Sequence, residues 1–139
     1  MKIKKVENNY ILRIDRGEEI VDSIKKVCIE NKIKAGGIIG IGAVDELKIG
    51  IYNVPNKEYL SETLKGSYEV TNLTGNISTM NGEIYLHLHI TVTDENFNAK
   101  GGHLNFAIVG GTCEIIIKEI KDIIERKKDF ETGLNIYNI

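Results

Sequence analysis

All three histidines of the 139-residue chain fall in one window, LHLHITVTDENFNAKGGH, running from Leu86 to His103. His87 and His89 are two residues apart, and His103 follows a Gly-Gly pair further on. The preceding run IYLHLHITVT alternates with a period of two. Ile84, Leu86, Leu88, Ile90 and Val92 share one face, and Tyr85, His87, His89, Thr91 and Thr93 share the other. A strand with this pattern packs its apolar face on the core. Both imidazoles then stand on the polar face, rooted about 6–7 Å apart. Neutral imidazole is a good ligand for zinc and other borderline metals. If the polar segment DENFNAKGG folds the next strand back beside this one, His103 completes a three-nitrogen site. Three nitrogens leave a fourth position open, as in catalytic or exchangeable zinc centres rather than closed structural ones. The competing reading is three histidines in ordinary hydrogen bonds. Two of the three sharing one polar strand face favours Zn²⁺, with His87, His89 and His103 as ligands, although nitrogen donors alone do not separate zinc from iron, nickel or manganese.

No other metal or redox motif competes. Cys28 and Cys113 lie in apolar surroundings and read as small buried hydrophobes, with no Cys-x-x-Cys spacing and no disulfide framework. The glycine-rich run KAGGIIGIGAVDELKIGIYN lacks the Gly-Lys-Ser/Thr ending of a phosphate loop and the third glycine of a dinucleotide fingerprint. It reads as buried strands whose glycines admit a second backbone at close range.

The elements that position the histidines follow from periodicity. NNYILRID alternates as a strand and is broken by Asp15 and Gly17. EEIVDSIKKVCIEN places Ile20, Ile24, Val27 and Cys28 on one helical face, with Asn31 as the stop. Pro55 sits in a loop before TLKGSYEVTNLTGNIS. That run and GEIYLHLHITVT form a hairpin about Asn81-Gly82. HLNFAIVGGTCEIIIKEI reads as two strands broken at Gly110-Gly111. KEIKDIIERKKDF carries Ile120, Ile123 and Ile124 at helical spacing, and its Lys/Arg cluster reads as a solvated face. GLNIYNI reads as a final edge strand. Together they predict an α+β fold of one domain, residues 1–139: a mainly antiparallel sheet with one major helix and short flanking helices.

Composition narrows the function. The hydrophobic share of 42% and charged share of 27% are globular values. The net charge is −2, and the 18 basic residues include only Arg13, Arg16 and Arg126 as arginines. A nucleic-acid binder generally carries a basic excess rich in arginine. Neither a secretory leader nor a bilayer-length apolar span is visible, so a cytoplasmic location without membrane contact is expected.

Four segments taken together, GIGAVDELKIGIY, KGSYEVTNLTGNIS, LHLHITVTDENFNAKGGHL and TCEIII, resemble the plants-and-prokaryotes-conserved (PPC) domain, from about Arg13 to the ETGLNI run. The resemblance implies a mainly antiparallel sheet with helices, assembled as a homotrimer. In plants the domain follows AT-hook segments in nuclear DNA-binding proteins, and stand-alone prokaryotic members carry a DNA-binding label for that reason. The Arg-Gly-Arg core that an AT-hook inserts into the minor groove does not occur in this sequence. The plant motif for partner recognition aligns with Gly66-Ser67-Tyr68-Glu69-Val70-Thr71, keeping Gly66 and Glu69, with Tyr68 as the aromatic and Ser67 in place of an arginine. The pattern His-Leu-His with Gly-Gly-His resembles the zinc triad of prokaryotic members.

Three functions are therefore carried forward. The first is a trimeric zinc-binding protein with its site near a subunit boundary. The second is a DNA-binding or transcription-associated regulator, acting with DNA or a regulatory protein. The third is a zinc-dependent hydrolase, in which Glu69 or Tyr85 would serve as acid or base.

Overall fold

The computed structural model describes residues 1–139 and contains eight strands and one helix. The strands are β1 (Lys2–Val6), β2 (Asn9–Asp15), β3 (Gly36–Asn53), β4 (Glu58–Met80), β5 (Glu83–Thr93), β6 (Ala99–Glu119), β7 (Arg126–Lys128) and β8 (Asn135–Tyr137). The helix α1 spans Ile20–Glu30. β1 to β6 form one antiparallel sheet in the order β1-β2-β6-β3-β4-β5, and β5 also pairs with β6, so that the sheet curls back on itself. The mainly antiparallel fold with one major helix is as the sequence predicts.

The helix forms where the apolar spacing requires it. Ile20, Ile24, Val27 and Cys28 are fully buried against the sheet. Each large aliphatic side chain so buried contributes about 1.5–3 kcal/mol. Glu19 caps the N-terminus by accepting from the amides of Val21 and Asp22, and its carboxylate also accepts from the Ala107 amide of β6 at 2.8 Å. One side chain thus starts the helix and docks it on the sheet. Asn31 ends it, its side-chain amide donating to the Val27 carbonyl at 2.9 Å.

The turn before the histidine strand is the tight one that Asn-Gly predicts. Asn81 and Gly82 have φ of 54° and 81°, the pair of positive values a two-residue type I′ turn needs, and Met80 faces Glu83 across it. The glycine-rich run is one 18-residue strand, β3, in which close approach explains the glycines. A Cβ at Gly42 would lie 2.7 Å from the Cys113 Cα of β6.

Two expectations change. Gly110-Gly111 does not break the chain into two strands. β6 runs through it with a bulge, Gly110, Gly111 and Thr112 lying between the Val44–Val109 and Gly42–Cys113 pairs. The flanking helices are also absent. KEIKDIIERKKDF leaves β6, bends at Lys121-Asp122 and then runs beside the end of β4, where the Thr79 amide donates to the Ile124 carbonyl at 2.8 Å. Ile120 and Ile123 are exposed, so no neighbouring element covers the apolar side that a helix there would need to bury. Isoleucine is also a weak helix former because its χ1 is restricted against the preceding turn. The final edge strand exists as β8, paired not with the main sheet but with β7 in a small second sheet.

Candidate metal centre

Position on the sheet brings the three histidines together. Leu88, Ile90 and Val92 of β5 are fully buried, and this fixes the opposite orientation for His87 and His89. The turn at Asp94–Asn98 then folds β6 back. The Asp94 carboxylate stabilises this turn by accepting from the amides of Asn96 and Asn98, both at 2.9 Å. His103 comes to lie directly across from His89. Gly101 and Gly102 permit the close packing, since a Cβ at Gly102 would lie 2.6 Å from the Gly50 carbonyl oxygen of β3.

One ligating nitrogen from each of His87, His89 and His103 lies within 4.8 Å of the others. The ring centroids are 5.1 to 5.7 Å apart. The Nε2 atoms of His87 and His89 face each other at 3.2 Å. Two such nitrogens either share a proton or turn both lone pairs to a common cation. A tetrahedral ion with nitrogens at about 2.0–2.1 Å holds them about 3.4 Å apart. The His87–His89 pair already meets that spacing, and a ligating nitrogen of the half-buried His103 lies within 4.8 Å of both. The donor set therefore fits a borderline divalent metal.

Electrostatics point the same way. Burial, reinforced by the charges of His103, Arg126 and His89, lowers the His87 pKa to about 4. Burial and His89 lower that of His103 as well. Neutral imidazole is the ligating form, so His87 and His103 are ready for a metal at neutral pH. The charged neighbours acting on these two rings are all cationic. Tyr59 lies edge-on to His103 with centroids 6.1 Å apart, its hydroxyl donating to Asn105 Oδ1 at 2.8 Å.

Beside the histidines stands Arg126, which the sequence places in a solvated basic face. The structure buries it to 7% exposure, while Lys127 and Lys128 are exposed. Its Nε donates to Ser78 Oγ, its Nη1 to the Asn135 carbonyl and its Nη2 to Asn76 Oδ1, each at 2.7 Å. The guanidinium sits over the rings of Tyr85 and Tyr137, 4.8 and 4.5 Å from their centroids. It forms no salt bridge with any acid. Asn76 lies directly across from His87, and Ser78 across from Tyr85.

The other candidate residues are placed elsewhere. Tyr85 shares the His87 face, but it is engaged by the Arg126 guanidinium and by Asn135. Glu69 faces Thr93, four residues beyond His89 and so about 13 Å further along β5. It is not an acid or base beside the histidines. Gly66 has a φ of 132°. Tyr68 and Glu69 instead line a cleft near the β6 bulge, with Asp45, Asp94 and Phe97. Asn76 and Arg126 were missed from sequence, and their partners are too far apart in the chain for spacing to have suggested them.

Comparison with known proteins supplies context. A candidate DNA-binding protein from Bacteroides thetaiotaomicron has 42% identity and a TM-score of 0.96 over 99% of this chain and 96% of its own. A metal-containing protein from Archaeoglobus fulgidus has 31% identity and a TM-score of 0.88, covering 98% of this chain and 94% of its own. A plant- and prokaryote-conserved (PPC) protein from Pyrococcus horikoshii has 34% identity and a TM-score of 0.86, covering 99% and 94%. The bifunctional protein GlmU of Synechococcus sp. (strain JA-2-3B'a(2-13)) is 24% identical over 127 residues. That match takes in 89% of this chain but only 19% of that longer protein. The family model for the Plants and Prokaryotes Conserved (PCC) domain matches residues 1–121, and with its strand order and histidine-bearing hairpin in place the chain belongs to that family, called PPC above.

Proposed function

We propose that this is a metal-binding PPC-domain protein, with zinc held by His87, His89 and His103. The observation that carries the reading is the convergence of three imidazole nitrogens from two neighbouring strands within 4.8 Å. The metal-containing relative from Archaeoglobus fulgidus supports it. A bound zinc ion would supply Lewis acidity at an open coordination position. Elemental analysis of the purified protein tests this. About one equivalent of zinc is expected, and His103→Ala should lower metal affinity by at least about a hundredfold while the far-ultraviolet circular dichroism is unchanged. A metal-free protein that takes up no zinc on titration would end the reading.

The metal site is read as lying near a boundary between copies in a homotrimer. Ile11, Ile116 and Ile39 stand in register across β2, β6 and β3, and all three are exposed. The same row continues through Thr74 to His89. An apolar row of this kind ending at a ligand suits burial against a second copy. Light scattering coupled to gel filtration should return three times the chain mass, and a monomer would count against it. The β7–β8 hairpin is read as part of the same domain, because Arg126 ties it to β4.

A second reading, DNA binding, rests on the description of the Bacteroides relative. The charge distribution weakens it. Arg126 is buried and Arg13 is paired with Asp15 at 2.9 Å, which leaves Arg16 as the remaining arginine. A mobility-shift titration discriminates: any lysine-driven complex should dissolve as salt rises, and no shift at low salt discards this reading.

A further inference from the structure

We propose that Asn76, oriented by Arg126, makes the open side of the histidine site selective for a small oxyanion of the carboxylate class. This rests on the metal-binding reading above. Three observations carry it.

The first is the orientation of the Asn76 amide. Its two ends are nearly indistinguishable by shape, so hydrogen-bond partners must decide which end faces where. A guanidinium has only donors, and Arg126 Nη2 lies 2.7 Å from the Asn76 side chain, so the atom facing it is the oxygen. The NH₂ end is left as a donor with no protein acceptor. Arg126 is held by three hydrogen bonds and two aromatic rings, so the orientation is firm.

The second is place. Asn76 is directly opposite His87 on the shared face of β4 and β5. Side chains so paired are rooted about 4.5–5.5 Å apart. The free amide donor therefore stands beside the metal ligands.

The third is charge. Arg126 carries a buried positive charge with no acid paired to it. A divalent ion on three neutral imidazoles would add two more positive charges. The cluster of candidate ligands contains no carboxylate. Glu62, on neighbouring β4, is paired with Lys100 at 3.1 Å. Excess positive charge in a partly desolvated site is relieved by an anion at the open coordination position. A carboxylate meets both needs, one oxygen facing the ion and the other accepting from the Asn76 amide. A neutral ligand such as imidazole offers no second oxygen.

The test uses the full chain loaded with Co²⁺, whose visible absorption reports its ligands, with acetate and imidazole as titrants. Acetate should shift the spectrum of the unaltered protein. Asn76→Ala should weaken acetate binding by about tenfold, the loss of one hydrogen bond to a charged group. Its affinities for Co²⁺ and for imidazole should stay within about twofold of the original. Asn76→Asp has the same shape and still accepts from Arg126. It should lose acetate binding by more than Asn76→Ala, and it keeps the test available if the alanine variant does not fold. Co²⁺ uptake with unchanged acetate affinity in the variants overturns this proposal and leaves the metal reading intact. Failure of the unaltered protein to bind Co²⁺ overturns both.

Discussion

Two polar groups share one face of β4 and β5 and are held in opposite ways. Arg126 is bonded to three oxygens, stacked by two tyrosines and almost wholly excluded from solvent. The three imidazoles next to it make one contact of hydrogen-bond length, and that is between two of themselves. Buried polar groups in folded proteins are usually satisfied by the protein. The arginine obeys this rule and fastens the C-terminal hairpin to β4. The histidines are half-buried or exposed and make no hydrogen bond to the rest of the protein, so their nitrogens stay open to solvent or to an external ligand. One cluster supports the fold, and the other uses it.

The contrast can be broken at several points. The largest effect should come from Arg126→Met. It leaves Asn76 Oδ1, Ser78 Oγ and the Asn135 carbonyl without their donor, and should cost about 3–5 kcal/mol in urea unfolding. A loss under about 1 kcal/mol would show that the arginine is no fastener. Next comes Gly75→Ala, between the two clusters on β4. The added Cβ would collide with the His87 carbonyl oxygen and the Leu88 backbone. A cost of about 1–3 kcal/mol is expected, with weaker metal binding although no ligand is touched. Unaltered metal affinity would show that the register of β4 on β5 does not matter to the site.

Replacing His103 by Gln in metal-free protein should do far less, within about 0.5 kcal/mol of the original stability at pH 7.5. A large loss would mean that the imidazoles are structural after all. Last comes pH dependence, whose size is reduced by solvent around the half-buried His87 ring. The folded-state pKa of His87 is lowered from 6.5 to about 4, so between those values the unfolded chain binds the extra proton. The neutral-imidazole contribution to stability is present above pH 6.5 and is lost as pH falls toward 4. The denaturant midpoint of the metal-free protein should fall across that window, and His87→Gln should flatten the fall.

The histidine cluster was legible because its signal is local. Period-two alternation from Ile84 to Val92 sets which way His87 and His89 face, and Asn81-Gly82 is a strong turn sequence. The helix was equally plain, its apolar positions recurring at 3.6-residue spacing. Arg126 could not be read in this way. It is flanked by Glu125 and two lysines, the mark of a solvated segment, while Asn76 and Ser78 that bury it lie 50 and 48 residues away. β1 was missed for a related reason. All five of its residues are exposed, so Lys2–Val6 shows no inward-facing alternation. The break expected at Gly110-Gly111 treated a glycine pair as an end to pairing, whereas here it makes the bulge that lets β6 continue.

β6 has a further consequence at His103, which is paired on both sides, with Gly50 of β3 and with His89 of β5. This is where the sheet meets itself, and only the five pairs from His89–His103 to Thr93–Ala99 stitch that seam. A cation gripped by His89 and His103 would rivet the seam shut. Amide protons of Thr91 and Gly101 should then exchange more slowly in the loaded protein, while those deep in α1 stay unchanged, so that occupancy of the rivet is written into the breathing of the whole curl.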